Sequence, residues 1–114
     1  METVVRMMDR KFVVMDWEAV SEEVRPGVCD SATWRTREGG GLRVRMVEYT
    51  AGYVADHWCD WGLVLLVLEG ELVTDLRDGR RYVLKRGMSY QVSDLGDASH
   101  RSSSPSGAKL FIVD

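Results

Sequence analysis

What this chain has in short supply narrows its reading first. Two cysteines, Cys29 and Cys59, stand in 114 residues. That is too few for a disulfide framework, and two reduced thiols are expected. The longest uninterrupted apolar run, "LVLLVL" from Leu63 to Leu68, is closed by Glu69. It falls far short of the ~20 residues of a membrane-spanning helix, so no membrane partner is expected. The opening "METVVRMMDRKF" mixes acidic and basic groups where a secretory signal would need an apolar stretch, which predicts a cytoplasmic protein. Positive charge is not in excess: 15 basic residues face 18 acidic ones, a net of −3. Nonspecific nucleic-acid binding needs concentrated Lys and Arg to neutralise phosphates, so no nucleic-acid partner is expected. Helical apolar stripes are missing too, outside the first twenty or so residues.

What is present is strand patterning. Short alternating runs bounded by turn residues recur along the chain and predict an all-β fold. Candidate strands are "KFVVMDWEAV", a stretch around "GVCDSATWRT", "LRVRMVEYT", "GLVLLVLEGELVTDL", "RRYVLKRG", "MSYQVS" and "KLFIVD". Turns are marked by Pro26-Gly27, Gly39-Gly40-Gly41, Asp78-Gly79 and Arg86-Gly87, of which Asp78-Gly79 is the strongest hairpin signal. Arg43 and Arg45 alternate with Leu42, Val44 and Met46, which predicts that the two arginines lie on the solvated face of a strand. "SSSPSG", Ser102 to Gly107, reads as a polar loop. This many short strands in about a hundred residues predict one sandwich or barrel domain.

Chemistry concentrates in "ADHWCDWG", Ala55 to Gly62. On an extended strand, residues two apart share a face, so His57, Cys59 and Trp61 would point one way and Asp56, Trp58 and Asp60 the other. Imidazole and thiolate side by side are two ligands of a possible transition-metal site. A third must come from elsewhere, and the only other histidine is His100.

The order Gly52, His57, Cys59, Gly70, Gly87 and His100, with the phrase "VLEGEL", resembles the two-motif pattern of the cupin superfamily. More narrowly, "EYTAGYVADHWC", "DGRRYVL", "GMSYQV", "HRSSS" and "AKLFIVD" resemble the small single-domain DHCW-motif cupins over roughly residues 40 to 114. The resemblance implies a single-domain cupin barrel, a double-stranded β-helix or jelly roll. Residues 40–114 would form its core, and residues 1–39 would add N-terminal strands to this barrel or to a partner's. It also implies a homodimer, and a lumen site in which His57, Cys59 and His100 hold a divalent metal. Two positions depart from the family pattern. Cys59 stands where the second histidine is usual, which softens the site toward zinc or iron. Leu63 occupies the glutamate slot and cannot coordinate a metal. Three ligands and an open position still describe a reactive centre. Around it, Tyr49, Trp61, Leu63 and Tyr90 are expected to line a pocket for a small organic molecule. Two functions stay open: a metal-dependent enzyme of unassigned reaction, and a metal-free small-molecule binding or sensing module.

Overall fold

The computed structural model describes residues 11–39 and 41–114. Residues 1–10 and Gly40, which complete the predicted N-terminal segment and the triple-glycine turn, lie outside the described residues. Nine strands follow in chain order: β1 (Glu23–Pro26), β2 (Ser31–Gly39), β3 (Leu42–Tyr49), β4 (Tyr53–Val54), β5 (Leu63–Leu76), β6 (Arg81–Lys85), β7 (Ser89–Val92), β8 (His100–Ser104) and β9 (Ala108–Val113). All pairings between them are antiparallel. They run in the order β1-β2-β3-β9-β5-β8-β4, with β6 and β7 also pairing with β5.

The 14-residue β5 organises the curl. Its first half pairs with β7 and β9, and its second half pairs with β6 and β8. The change of partners falls at a register irregularity between Val67 and Glu69, followed by Gly70 at φ +77°. A bulge bends the strand and a left-handed residue carries it into the second sheet. Gly70 is also required sterically, because a Cβ there would lie 2.1 Å from the Gly107 carbonyl oxygen.

Period-2 alternation decides what faces inward. Leu65 and Val67 before the bend and Leu72 after it are buried, with Val47, Leu84, Leu110 and Ile112 opposite or beside them. Tyr49 and Tyr53 close one side of this core, their rings stacked at 4.2 Å. Trp34, Leu63 and Tyr90 pack against it from the rim.

The fold corrects four expectations. "KFVVMDWEAV" forms no strand; it is irregular except for a 3-10 turn over Trp17–Ala19, capped by the Asp16 carboxylate accepting from the Glu18 N–H. "SSSPSG" is half strand, since Ser102 to Ser104 belong to β8 and Ser104 is fully buried. Cys29, which lies outside the cupin-like motifs and on the sequence alone is assigned to the core, is exposed and bridges Val54 through its backbone.

The fourth concerns Arg45, whose side chain is only 11% exposed. It shares the inner face of β3 with Val47 and Tyr49, stacks its guanidinium 4.2 Å from the Trp34 ring centre, and donates to Asp114 at 2.5 Å. A buried guanidinium is tolerable here because an aromatic face and a carboxylate compensate its lost hydration. Asp114 also takes a two-pronged pair of bonds from Arg43, each at 3.0 Å.

Candidate functional site

The segment that drew attention in the sequence is not a strand. Asp56, His57 and Trp61 sit in bends, and only Cys59 makes a β-bridge. Strand parity therefore does not govern its side chains. His57 points outward: its side chain is 74% exposed and its Nδ1 lies 2.6 Å from Asp56 Oδ1. That contact holds the Asp56 carboxyl below the ordinary carboxylate range. Trp61 is 66% exposed and so lines no interior pocket. Trp58 turns onto the outside, where Arg101 and Arg77 lie 4.7 and 5.7 Å from its ring centre.

Cys59 behaves differently. Its N–H donates to the His100 carbonyl at 2.8 Å, and its carbonyl accepts from the His100 N–H at 2.9 Å. Residues directly opposite in an antiparallel bridge present their side chains on the same face, so the thiol and the His100 imidazole are neighbours. Asp60 is anchored separately, accepting from the Ser99 hydroxyl.

His100 opens β8 and is buried, 8% exposed. Register fixes its surroundings. It lies opposite Leu76, while Ser102 lies opposite Thr74, so His100, Leu76 and Thr74 share the inner face of the second sheet. Across the lumen, Leu65 lies opposite Tyr90, whose ring meets the imidazole edge-on at 6.0 Å. Burial lowers the pKa of His100, with Asp60 partly offsetting the effect, so the imidazole is neutral at pH 7. Burial first, and the neighbouring Cys59 second, raise the Tyr90 phenol well above its ordinary value. Both groups are therefore neutral hydrogen-bonding partners.

Together they wall a cleft of about 320 Å³ between β5, β6, β7 and β8. Leu76, Leu84, Met88 and Val92 supply apolar lining, and Thr74 sits on the inner wall. Thr74 is 3% exposed and its Oγ1 has no hydrogen-bond partner within the chain. It stands close enough to Tyr90 to offset a little of that phenol's shift without reaching hydrogen-bonding geometry. Arg80 and Asp97 flank the cleft, paired at 2.5 Å, with Asp78 on the same guanidinium at 2.7 Å.

The predicted residues thus separate. His100 and Tyr90 face the cleft, and Cys59 stands beside His100. Leu63 lies further along, on an open groove with Leu42, Gly62 and Val92. Tyr49 is buried in the core against Tyr53. As for a metal, Cys59 and His100 are cross-strand neighbours, and His57 is turned away from them toward Asp56. Among the described residues, no group of three or more His, Cys, Asp or Glu side chains is arranged to hold a metal ion. Thr74, Leu84 and Met88 were missed in the sequence. Thr74 had a signal: it is the polar residue in "LVTDL" at the same parity as Leu72 and Leu76.

No protein-family profile and no curated protein matches this chain. Solved structures do. The polyketide cyclase RemF from Streptomyces resistomycificus aligns with a TM-score of 0.73 at 18% identity, over 90% of this chain and 78% of its own. Ectoine synthase from P. lautus aligns at 0.72 and 18% identity, over 90% and 76%. A cupin-2 domain protein from Shewanella frigidimarina aligns at 0.58 and 20% identity, over 71% and 78%. The curled nine-stranded sheet of this chain is a cupin fold. Among the described residues, no helix is long and apolar enough to cross a membrane.

Proposed function

We propose that this cupin is a small-molecule-binding module whose ligand enters the cleft between β5, β6, β7 and β8. The observation that carries the reading is the convergence of His100, Tyr90 and Thr74 on one partly enclosed, mostly apolar space of about 320 Å³. That volume lies at the lower end of what small-molecule sites use, and a few neutral polar groups on an apolar wall are what such sites offer. RemF and ectoine synthase are enzymes that share the fold, so turnover of the bound molecule is compatible with this reading. A thermal-shift screen of metabolites tests it. A ligand that binds only the folded chain stabilises it by about 2.7 kcal/mol at a hundredfold excess over Kd. A screen in which no compound raises the Tm would contradict the reading.

The Cys59–His100 bridge favours a second reading, in which zinc or iron is held by His57, Cys59 and His100. Such an ion, when bound, would act as a Lewis acid or activate water. This reading requires the His57 imidazole to leave Asp56 and turn inward beside Cys59. Elemental analysis of wild type, His57→Ala and His100→Ala checks it. Near-stoichiometric metal in the wild type alone supports it, and equal metal content in all three contradicts it.

The proposal includes a homodimer. Phe12 and Val14 before the first strand, and Val24 and Val28 on and after the edge strand β1, are exposed apolar side chains. Unpaired strand edges invite pairing. Light scattering is expected to give the dimer mass, and a monomer mass would contradict it.

A further inference from the structure

The chemistry of the cleft restricts what can occupy it. Among the described residues that line the cleft, Arg80 is the one cation, and two carboxylates, Asp78 and Asp97, already hold it. A carboxylate or phosphate placed against Thr74 would therefore meet no free cation of the lining. Asp60 adds a negative charge on the His100 side. An ammonium group placed inside would meet a hydroxyl, a phenol and an imidazole, with apolar Leu76, Leu84 and Val92 beside them. Burying an ion without a counter-charge is far more costly than burying a neutral hydrogen-bonding group.

What the cleft does offer is one unmet demand. Thr74 Oγ1, nine-tenths buried and more, can both donate and accept; it acts on the nearby Tyr90 phenol but makes no hydrogen bond of good geometry within the chain. The outer part of the cleft carries Tyr82, Val83 and Met88, all about half exposed, so the entry is apolar as well. The space equals about ten waters at ~30 Å³ each, enough for one ring or a short chain.

We infer that the cleft takes an electrically neutral, largely apolar one-ring or short-chain molecule whose hydroxyl or carbonyl group bonds to Thr74 Oγ1. This rests on the reading of the cleft as a ligand site and adds the class of ligand.

The test is an NMR titration of the ¹⁵N-labelled full chain with three probes of one shape: 2-phenylethanol, phenylacetate and 2-phenylethylammonium. The backbone amides of Thr74, Met88 and His100 report binding. The neutral alcohol is expected to shift all three, and each ion to bind about tenfold more weakly or worse. Thr74→Val keeps the shape and removes the hydroxyl, and is expected to weaken the alcohol about fivefold. Met88→Trp, on the half-exposed rim, is expected to abolish the shifts while leaving the fold intact. Phenylacetate or the ammonium binding as tightly as the alcohol would overturn the inference, as would unchanged affinity in Thr74→Val, and the cleft would remain a ligand site. If none of the three probes shifts these amides in the wild type, the cleft reading itself falls.

Discussion

The two histidines of this chain make an instructive pair. His57 and His100 belong to one expected site, yet they occupy opposite environments. His57 lies on a bend, three-quarters exposed, its ring held by an adjacent carboxylate. His100 begins a strand whose register to β5 is fixed residue by residue, and its ring is buried against Tyr90. A strand imposes a face on each side chain, whereas a bend leaves orientation to local contacts. Asp56 holds His57 because it is the next residue along and its carboxylate lies 2.6 Å from the ring Nδ1. The chemical interest of the molecule therefore moves from the loop to the sheet.

The largest test of that contrast is made in the sheet itself. Leu72, fully buried on β5 next to Thr74, should cost about 3 kcal/mol when changed to Ala, because the lost methyls leave a cavity among fixed strands. Urea denaturation measures it, and a loss below about 1 kcal/mol would mean that the cleft wall is softer than described.

A middle-sized effect comes from the His100 ionisation. Its folded pKa lies below the unfolded value of about 6.5, so the unfolded chain binds the extra proton first. Stability is present above the unfolded pKa and falls as the pH drops below about 6.5, levelling off below the folded pKa. The Tm should therefore fall between about pH 7.5 and about pH 5.5. The fall should be shallower in His100→Gln, which cannot take up the proton. The Asp56, Asp78 and Asp97 carboxyls, all held below their ordinary range, enter only at lower pH and do not confuse this window. Identical pH profiles for wild type and variant would remove the buried neutral imidazole from the account.

The smallest effect belongs to the loop. His57→Ala should change stability by no more than about 0.5 kcal/mol, as for an exposed side chain with one surface contact. A loss several times larger would show that His57 is held inward in solution.

Much of this was legible in the sequence, and the limits have physical causes. β3 and β7 could be read because apolar and polar residues alternate along them, β5 and β9 because they carry uninterrupted apolar runs, and β6 because it follows the Asp78-Gly79 turn; Gly79 and Gly87 turn at φ +102° and +84° where their dipeptides placed turns. β8 was hidden because "HRSSS" carries no apolar alternation; its inner face is made of the polar His100, Ser102 and Ser104, of which the first and last are buried and Ser102 partly so. Arg45 was misplaced because its compensating carboxylate, Asp114, lies 69 residues away in sequence. For the same reason, half of the site was visible and half was not. His100 and Tyr90 stand out by residue type, whereas Thr74 matters only through a register that joins β5 to β8. "ADHWCDWG" misled because parity holds on a strand and this segment is a loop with one bridge.

On the proposed reading, the working face of the molecule is the His100 cleft and not the His57 loop. The thermal shift produced by one ligand in wild type, His57→Ala and Met88→Trp separates the two. The shift is expected to survive in His57→Ala and to be lost in Met88→Trp, with both variants folded. A shift lost in His57→Ala and kept in Met88→Trp would contradict it.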